Sequence, residues 1–266
     1  MAIGLAVLSS VVAPAEEAHV RARLVADRVI PGPTPTTTVG VLFEMDPGWH
    51  IYWKNPGDAG LATEVVWDLP EGLTAEPLQW PTPMSFTQPG DLAAFGYEHS
   101  VVLAARVALP ETASTEHATI SASVSWLACK DVCVLGGAEL EGRWPLDPSP
   151  EVLVGWRDRL PRPEGPFTFT TTGGIGPDER QGDLSLWLRW TETPGEVEFF
   201  PAADERLKVT GVRVQTRGGL TRIDCSVSAI GGSDLDVHAL PAVVATTGED
   251  GVRRGWEVSA ELRDGS

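Results

Sequence analysis

Basic residues are scarce in this chain of 266 residues. Twenty Lys and Arg stand against 37 Asp and Glu, a formal charge of −17 at neutral pH. A surface of that sign repels phosphate backbones, which sets nucleic acid aside as a partner, and it keeps a secreted protein dissolved. Long apolar runs are missing too: nothing approaches the ~18 uninterrupted apolar residues of a membrane-crossing helix. Neither a G-x-G-x-x-G nor a P-loop pattern occurs, so nothing points to a nucleotide. The His residues (His19, His50, His99, His117, His238) are scattered without ligand spacing. Helical periodicity hardly appears. With 28 Gly and 22 Pro, the composition excludes a coiled coil, a collagen-like repeat and a disordered tail.

What is present first is an address. Residues 2–12 are apolar or small, and Ala13-Pro14-Ala15 precedes Glu16-Glu17. This reads as the apolar stretch and A-x-A site of a secretory signal peptide, residues 1–15, cut after Ala15. No Lys or Arg precedes Arg21, so the basic leader of such peptides is not in this run. A buried N-terminal strand or helix is the alternative. Export places the mature protein outside the cytoplasm, where cysteines can be oxidised.

Period-2 alternation dominates the rest. It predicts strands over residues 19–28, 37–45, 65–69 and 101–109. Ile120, Ala122, Val124 and Trp126 share one face of a further strand whose other face is Ser121, Ser123 and Ser125. Ala138, Leu140 and Trp144 can return along a partner. Residues 149–166, within a Pro-rich stretch that starts at Trp144, read as a linker holding one short helix over 150–160. Beyond it Leu184, Leu186, Leu188 and Trp190 alternate, and strands are expected over 197–200, 209–214, 223–229, 235–240 and 256–262. Short strands at this spacing predict an all-β chain of sandwiches rather than a parallel sheet.

The chemistry lies in the cysteines. Cys129-Lys130-Asp131-Val132-Cys133 is a C-x₃-C. A disulfide needs Cα atoms roughly 4.4–6.8 Å apart, whereas residues four apart on a straight strand are separated by about 13 Å. If the two pair, the chain turns between them, and the flanking alternation places that turn at a hairpin tip or in a single helical turn. A bridge enclosing three residues removes little entropy from the unfolded chain, so it is a poor staple. A bridge of that kind suits electron exchange. Lys130 favours a nearby thiolate and Asp131 opposes it. A structural clip and a metal site are the other readings, the latter weakened because two thiolates need further ligands. Cys225 lies on the apolar face of Ile223, Val227 and Ala229, which predicts a buried, inert thiol.

Aromatics cluster on turn-rich segments: Trp49, Tyr52 and Trp53 among Pro47, Gly48, Pro56 and Gly57, then Trp80-Pro81-Thr82-Pro83 and Phe95-Gly96-Tyr97. Such rings plug the ends of a sandwich core. Alternatively they form an apolar lid that keeps other thiols from the cysteine pair.

In order along the chain, Trp49 to Gly60 (WHIYWKNPGDAG), Trp67 to Gly72 (WDLPEG), Trp80 to Pro83, Gly96-Tyr97-Glu98 and Trp126 to Cys133 (WLACKDVC) resemble the periplasmic N-terminal region of the DsbD and ScsB family of thiol:disulfide interchange proteins. The resemblance covers about residues 18–148. Residues 167–266, with Glu198-Phe199-Phe200-Pro201, resemble the extra β domain of the ScsB-like branch. The resemblance implies two immunoglobulin-like β-sandwich domains in tandem, the first bearing a redox-active Cys129/Cys133 pair. It implies a periplasmic oxidoreductase that needs no metal or organic cofactor, takes electrons from a membrane-embedded donor domain and passes them to oxidised periplasmic thiol proteins. Carried over by position, Cys133 forms the mixed disulfides, Cys129 resolves them, and Phe95, Gly96 and Tyr97 form a cap loop, with Trp49, Tyr52, Trp53 and Trp126 in support. The C-x₃-C spacing is tighter than in well-characterised members. A non-enzymatic binding module with a structural disulfide, or copper handling by the thiols, are the rival readings.

Overall fold

A computed structural model describes residues 15–17, 19–90, 92–110, 118–175, 180–202, 206–230 and 238–262. The expected signal peptide, apart from Ala15, and positions 235–237 of an expected strand lie outside these residues.

Strands β1 (Ala15–Glu17), β2 (Val20–Ala26), β3 (Thr36–Met45), β4 (His50–Gly57), β5 (Glu64–Asp68) and β6 (Thr74–Ala75) come first. They are followed by β7 (Met84–Gln88), β8 (Leu92–Glu98), β9 (Ser100–Ala108), β10 (Thr119–Cys129) and β11 (Cys133–Arg143). Antiparallel pairing sorts them into two sheets, β1-β2-β3-β9-β6 and β11-β10-β4-β8-β7, with β5 also paired to β10. Val41, Phe43, Val101 and Leu103 from the first sheet and Ile51, Trp53, Tyr97, Val124 and Trp126 from the second close on one another in a single core. This is an immunoglobulin-like sandwich, with each strand apolar on alternate residues because only one of its faces is dry.

Helix α1 (Pro150–Asp158) begins with Pro at its first position, where the missing N–H costs nothing. It buries Leu153 and Trp156 against Val25, Leu42, Val102 and Ala104 on the outside of the first sheet. The expected linker is therefore packed along much of its length.

The second half folds into β12 (Phe167–Gly173), β13 (Gln181–Trp190), β14 (Glu196–Pro201), β15 (Leu207–Arg217), β16 (Leu220–Ala229), β17 (Ala239–Thr247) and β18 (Arg253–Glu261). These make two antiparallel sheets, β12-β13-β16-β15 and β14-β17-β18. Leu184, Leu186, Leu188, Ile223, Val227, Phe199, Leu240 and Val244 fill the core between them. The smaller sheet is also dry on its other side. Phe200, Val243 and Ala245 point away from that core and into the core of the first sandwich.

Candidate functional site

Cys129 is the last residue of β10 and Cys133 the first of β11, and the register pairs them across the hairpin. Their Cα atoms are 4.1 Å apart and their sulfurs are bonded, 2.00 Å from one another. Lys130, Asp131 and Val132 make the turn, closed by the Lys130 N–H donating to the Val132 carbonyl at 3.0 Å. The Lys130 ammonium reaches back to the Pro47 carbonyl at 3.3 Å. The expected hairpin tip is therefore observed, and the bridge it carries is local.

The two sulfur-bearing residues differ sharply in exposure. Cys129 is fully buried, while Cys133 is exposed together with Val132, Val134 and Leu135. Register explains the asymmetry. Cys129 pairs with His50 of β4, and His50 with Glu98 of β8. Side chains two apart on a strand share a face, so His50, Tyr52, Ala94, Gly96 and Cys129 all lie on the sheet face turned away from the core. There Tyr52 and Ala94 pack around Cys129, joined by Phe86 of β7 and by Leu127. The Tyr52 hydroxyl donates to Cys129 Sγ at 3.1 Å. Burial raises the pKa of that phenol, so it keeps its proton and remains a donor.

His50 completes the cover. Its ring stacks on Phe86 with centroids 4.3 Å apart and meets Tyr52 edge-on at 5.4 Å. Its Nε2 lies 2.9 Å from Gln88 Nε2. Burial lowers the pKa of His50, against a weaker opposing pull from Glu98. Two glycines hold Tyr52 in place: a Cβ at Gly96 would lie 2.1 Å from the Ile51 carbonyl oxygen, and one at Gly60 would lie 2.2 Å from the Tyr52 ring. Both close approaches, at Gly96 within β8 and at Gly60 just after β4, are open to glycine alone.

The cap expected at Phe95, Gly96 and Tyr97 is corrected by this register. These residues are strand, not loop, and Phe95 and Tyr97 project from the core face, opposite to the cysteines. Tyr97 donates its hydroxyl to the Pro81 carbonyl at 2.8 Å. Trp53 and Trp126 are core residues for the same reason, and Trp49 stacks on His19 with centroids 3.8 Å apart. Of the expected aromatics, Tyr52 alone joins the cluster around Cys129. His50, Phe86 and Gln88 were missed. His50 was legible as the residue two before Tyr52 in W-H-I-Y, whereas Phe86 between Ser85 and Thr87 carries no signal of its own.

Cys225 is a free thiol buried in the second core. Burial foremost, then the charges of Asp224 and Asp183, push its pKa up to about 12. Among the described residues, no three His, Cys, Asp or Glu side chains gather to hold a metal.

An immunoglobulin-like sandwich with a cystine at a hairpin tip, one cysteine buried and the other exposed, has the layout of a thiol–disulfide interchange domain. Residues 22–143 match the family model of the N-terminal region of the thiol:disulfide interchange protein DsbD. Among solved structures, the N-terminal periplasmic domain of ScsB from Proteus mirabilis superposes with a TM-score of 0.68 at 19% identity, covering 93% of this chain and 95% of that one. At that identity the likeness is one of fold. No curated protein sequence gives a significant match.

Proposed function

We propose that the chain is a periplasmic electron-transfer module, charged by a membrane-embedded dithiol partner and discharged onto oxidised periplasmic proteins. The difference in exposure between the two bridged cysteines carries this reading. An incoming partner thiolate attacks the open sulfur of Cys133, and Cys129 departs as a thiolate that the Tyr52 hydroxyl can stabilise. The partner's second thiolate then breaks the mixed disulfide, leaving Cys129 and Cys133 reduced and the partner oxidised. In the second half-cycle the Cys133 thiolate attacks a substrate disulfide and expels one substrate thiolate. Cys129 attacks Cys133, which expels the other and re-forms the bridge. Two electrons pass in each half-cycle, and neither needs a metal or an organic cofactor. Residues 18–148 form the reacting domain in this scheme, and 167–266 a second domain.

The test is capture. Cys129→Ala leaves Cys133 without a resolving thiol, so disulfide-linked adducts should accumulate in the periplasm, and Cys133→Ala should trap none. The reduction potential separates this reading from a structural clip: well below about −300 mV the bridge resists exchange. A value that low, or equal trapping by both variants, removes the proposal.

A further inference from the structure

Phe86, the ring that covers Cys129, stands on β7, a five-residue strand at the sheet edge whose only paired neighbour among the described residues is β8. An edge strand that short has few backbone bonds of its own to hold it. Alternation gives it two differently used faces. Met84, Phe86 and Gln88 share the face toward the cysteines, where Phe86 and Gln88 contact His50. Ser85 projects from the other face and meets the second half of the chain.

That contact is specific. The Ser85 hydroxyl donates to Glu198 Oε1, and Arg253 Nη1 donates to Glu198 Oε2. Arg253 Nε donates to the Pro83 carbonyl, just before β7, at 2.8 Å. The guanidinium also lies over the Phe200 ring, 5.5 Å from its centroid. Arg253 and Glu198 are only 22% and 21% exposed, so this pair is not a loose surface bridge. Glu198 and Phe200 alternate with Phe199 on β14 and so face the first sandwich. The Glu198-Phe199-Phe200-Pro201 motif thereby bolts one sandwich to the other next to the cover of the disulfide.

We propose that the second half of the chain is a clamp on β7, with Glu198 and Arg253 as positioning residues that hold Phe86 closed over Cys129 and so limit how readily Cys129 parts from Cys133 when a thiol attacks the exposed cysteine. This rests on the interchange reading above and assigns the second half a part in it. Neither residue touches sulfur. They act through the strand, by setting how often β7 lifts from His50.

The experiment uses the full chain and dithiothreitol as the probe. One thiolate of the reagent opens the bridge and the second closes the reagent's own ring, leaving both protein cysteines reduced. Maleimide labelling after denaturing quench counts the thiols, with Cys225 as a constant background. Glu198→Gln and Arg253→Met should each speed reduction at least about threefold, and Phe86→Ala should speed it as much or more. Adding Arg253→Met to Phe86→Ala should give no further gain, because the clamp acts only through the ring. Ser85→Ala, a milder change at an exposed site, is a third variant should Arg253→Met fold poorly by circular dichroism. Folded Glu198→Gln and Ser85→Ala proteins that react at the wild-type rate, or additive gains in the double variant, overturn the clamp. If Phe86→Ala is fast while the clamp variants are not, the interchange reading survives without the clamp. If no form is reduced, the bridge is a scaffold and both fall.

Discussion

A single hydroxyl separates Cys129 from an ordinary core residue. In a buried setting a departing thiolate loses its hydration, and a charge-assisted hydrogen bond replaces part of it. Tyr52 is the donor in place, 3.1 Å from Sγ. Its ring is wedged by Gly60 and its backbone carbonyl is taken by the Thr63 hydroxyl at 2.9 Å. Tyr52→Phe keeps that packing and removes the donor. It should slow reduction of the bridge by dithiothreitol about tenfold, the equivalent of one hydrogen bond to a charged group. This is opposite in sign to uncovering Cys129 with Phe86→Ala, so the two substitutions separate stabilisation of the departing thiolate from its release. A rate unchanged in Tyr52→Phe would show that the phenol only fills space. The cysteine pair was legible because C-x₃-C between two alternating runs permits few geometries. Which cysteine is exposed came only through the family resemblance, which made Cys133 the reacting one; the alternation does not give it, because it depends on a third and a fourth strand.

Elements misread from sequence share a physical cause. Strand β4 was taken for an aromatic loop because Gly48, Pro56 and Gly57 crowd its ends. Strand β8 looked like a loop because Gly96 sits at its centre, where the structure uses it for close approach to β4. Both strands build the cover, and His50 ties them to β7. His50 is held neutral: burial lowers its pKa from 6.5, and Glu98 only partly offsets this, with Tyr52, Phe86 and Gln88 as the other groups against it. The unfolded chain therefore takes up the proton first as pH falls. The contribution of His50 to stability is complete above pH 6.5 and declines as pH drops below that toward its folded value. His50→Phe preserves a ring on Phe86 but cannot be charged. Denaturant midpoints measured at pH 7.5, 6.5 and 5.5 should fall more steeply for the wild type than for this variant; parallel curves would show that the imidazole's protonation is not linked to folding.

Two sandwiches in tandem were legible in outline from strand spacing, but their degree of fusion was not. The reason is β17, which runs Leu240-Pro241-Ala242-Val243-Val244-Ala245. With Leu240, Ala242 and Val244 in one core and Val243 and Ala245 in the other, the strand is apolar on both faces and loses the alternation that marks a half-buried strand. A sheet shared by two cores also predicts shared fate on unfolding. Phe200 is the largest second-half side chain to cross over; it is fully buried, edge-on to Phe95 at 5.1 Å and to Trp53 at 6.2 Å. Truncating it opens a cavity between the sandwiches, so Phe200→Ala should cost ~3–5 kcal/mol. Two probes read the halves separately: Trp fluorescence, since most of the Trp lie before residue 160, and alkylation of Cys225, whose buried thiol is inert until the second core opens. In urea the two transitions should coincide in the wild type and shift together in Phe200→Ala. Labelling of Cys225 at a lower urea concentration than the fluorescence change would mean that the second sandwich opens alone, and the shared sheet would then be a contact between independent domains rather than a common layer.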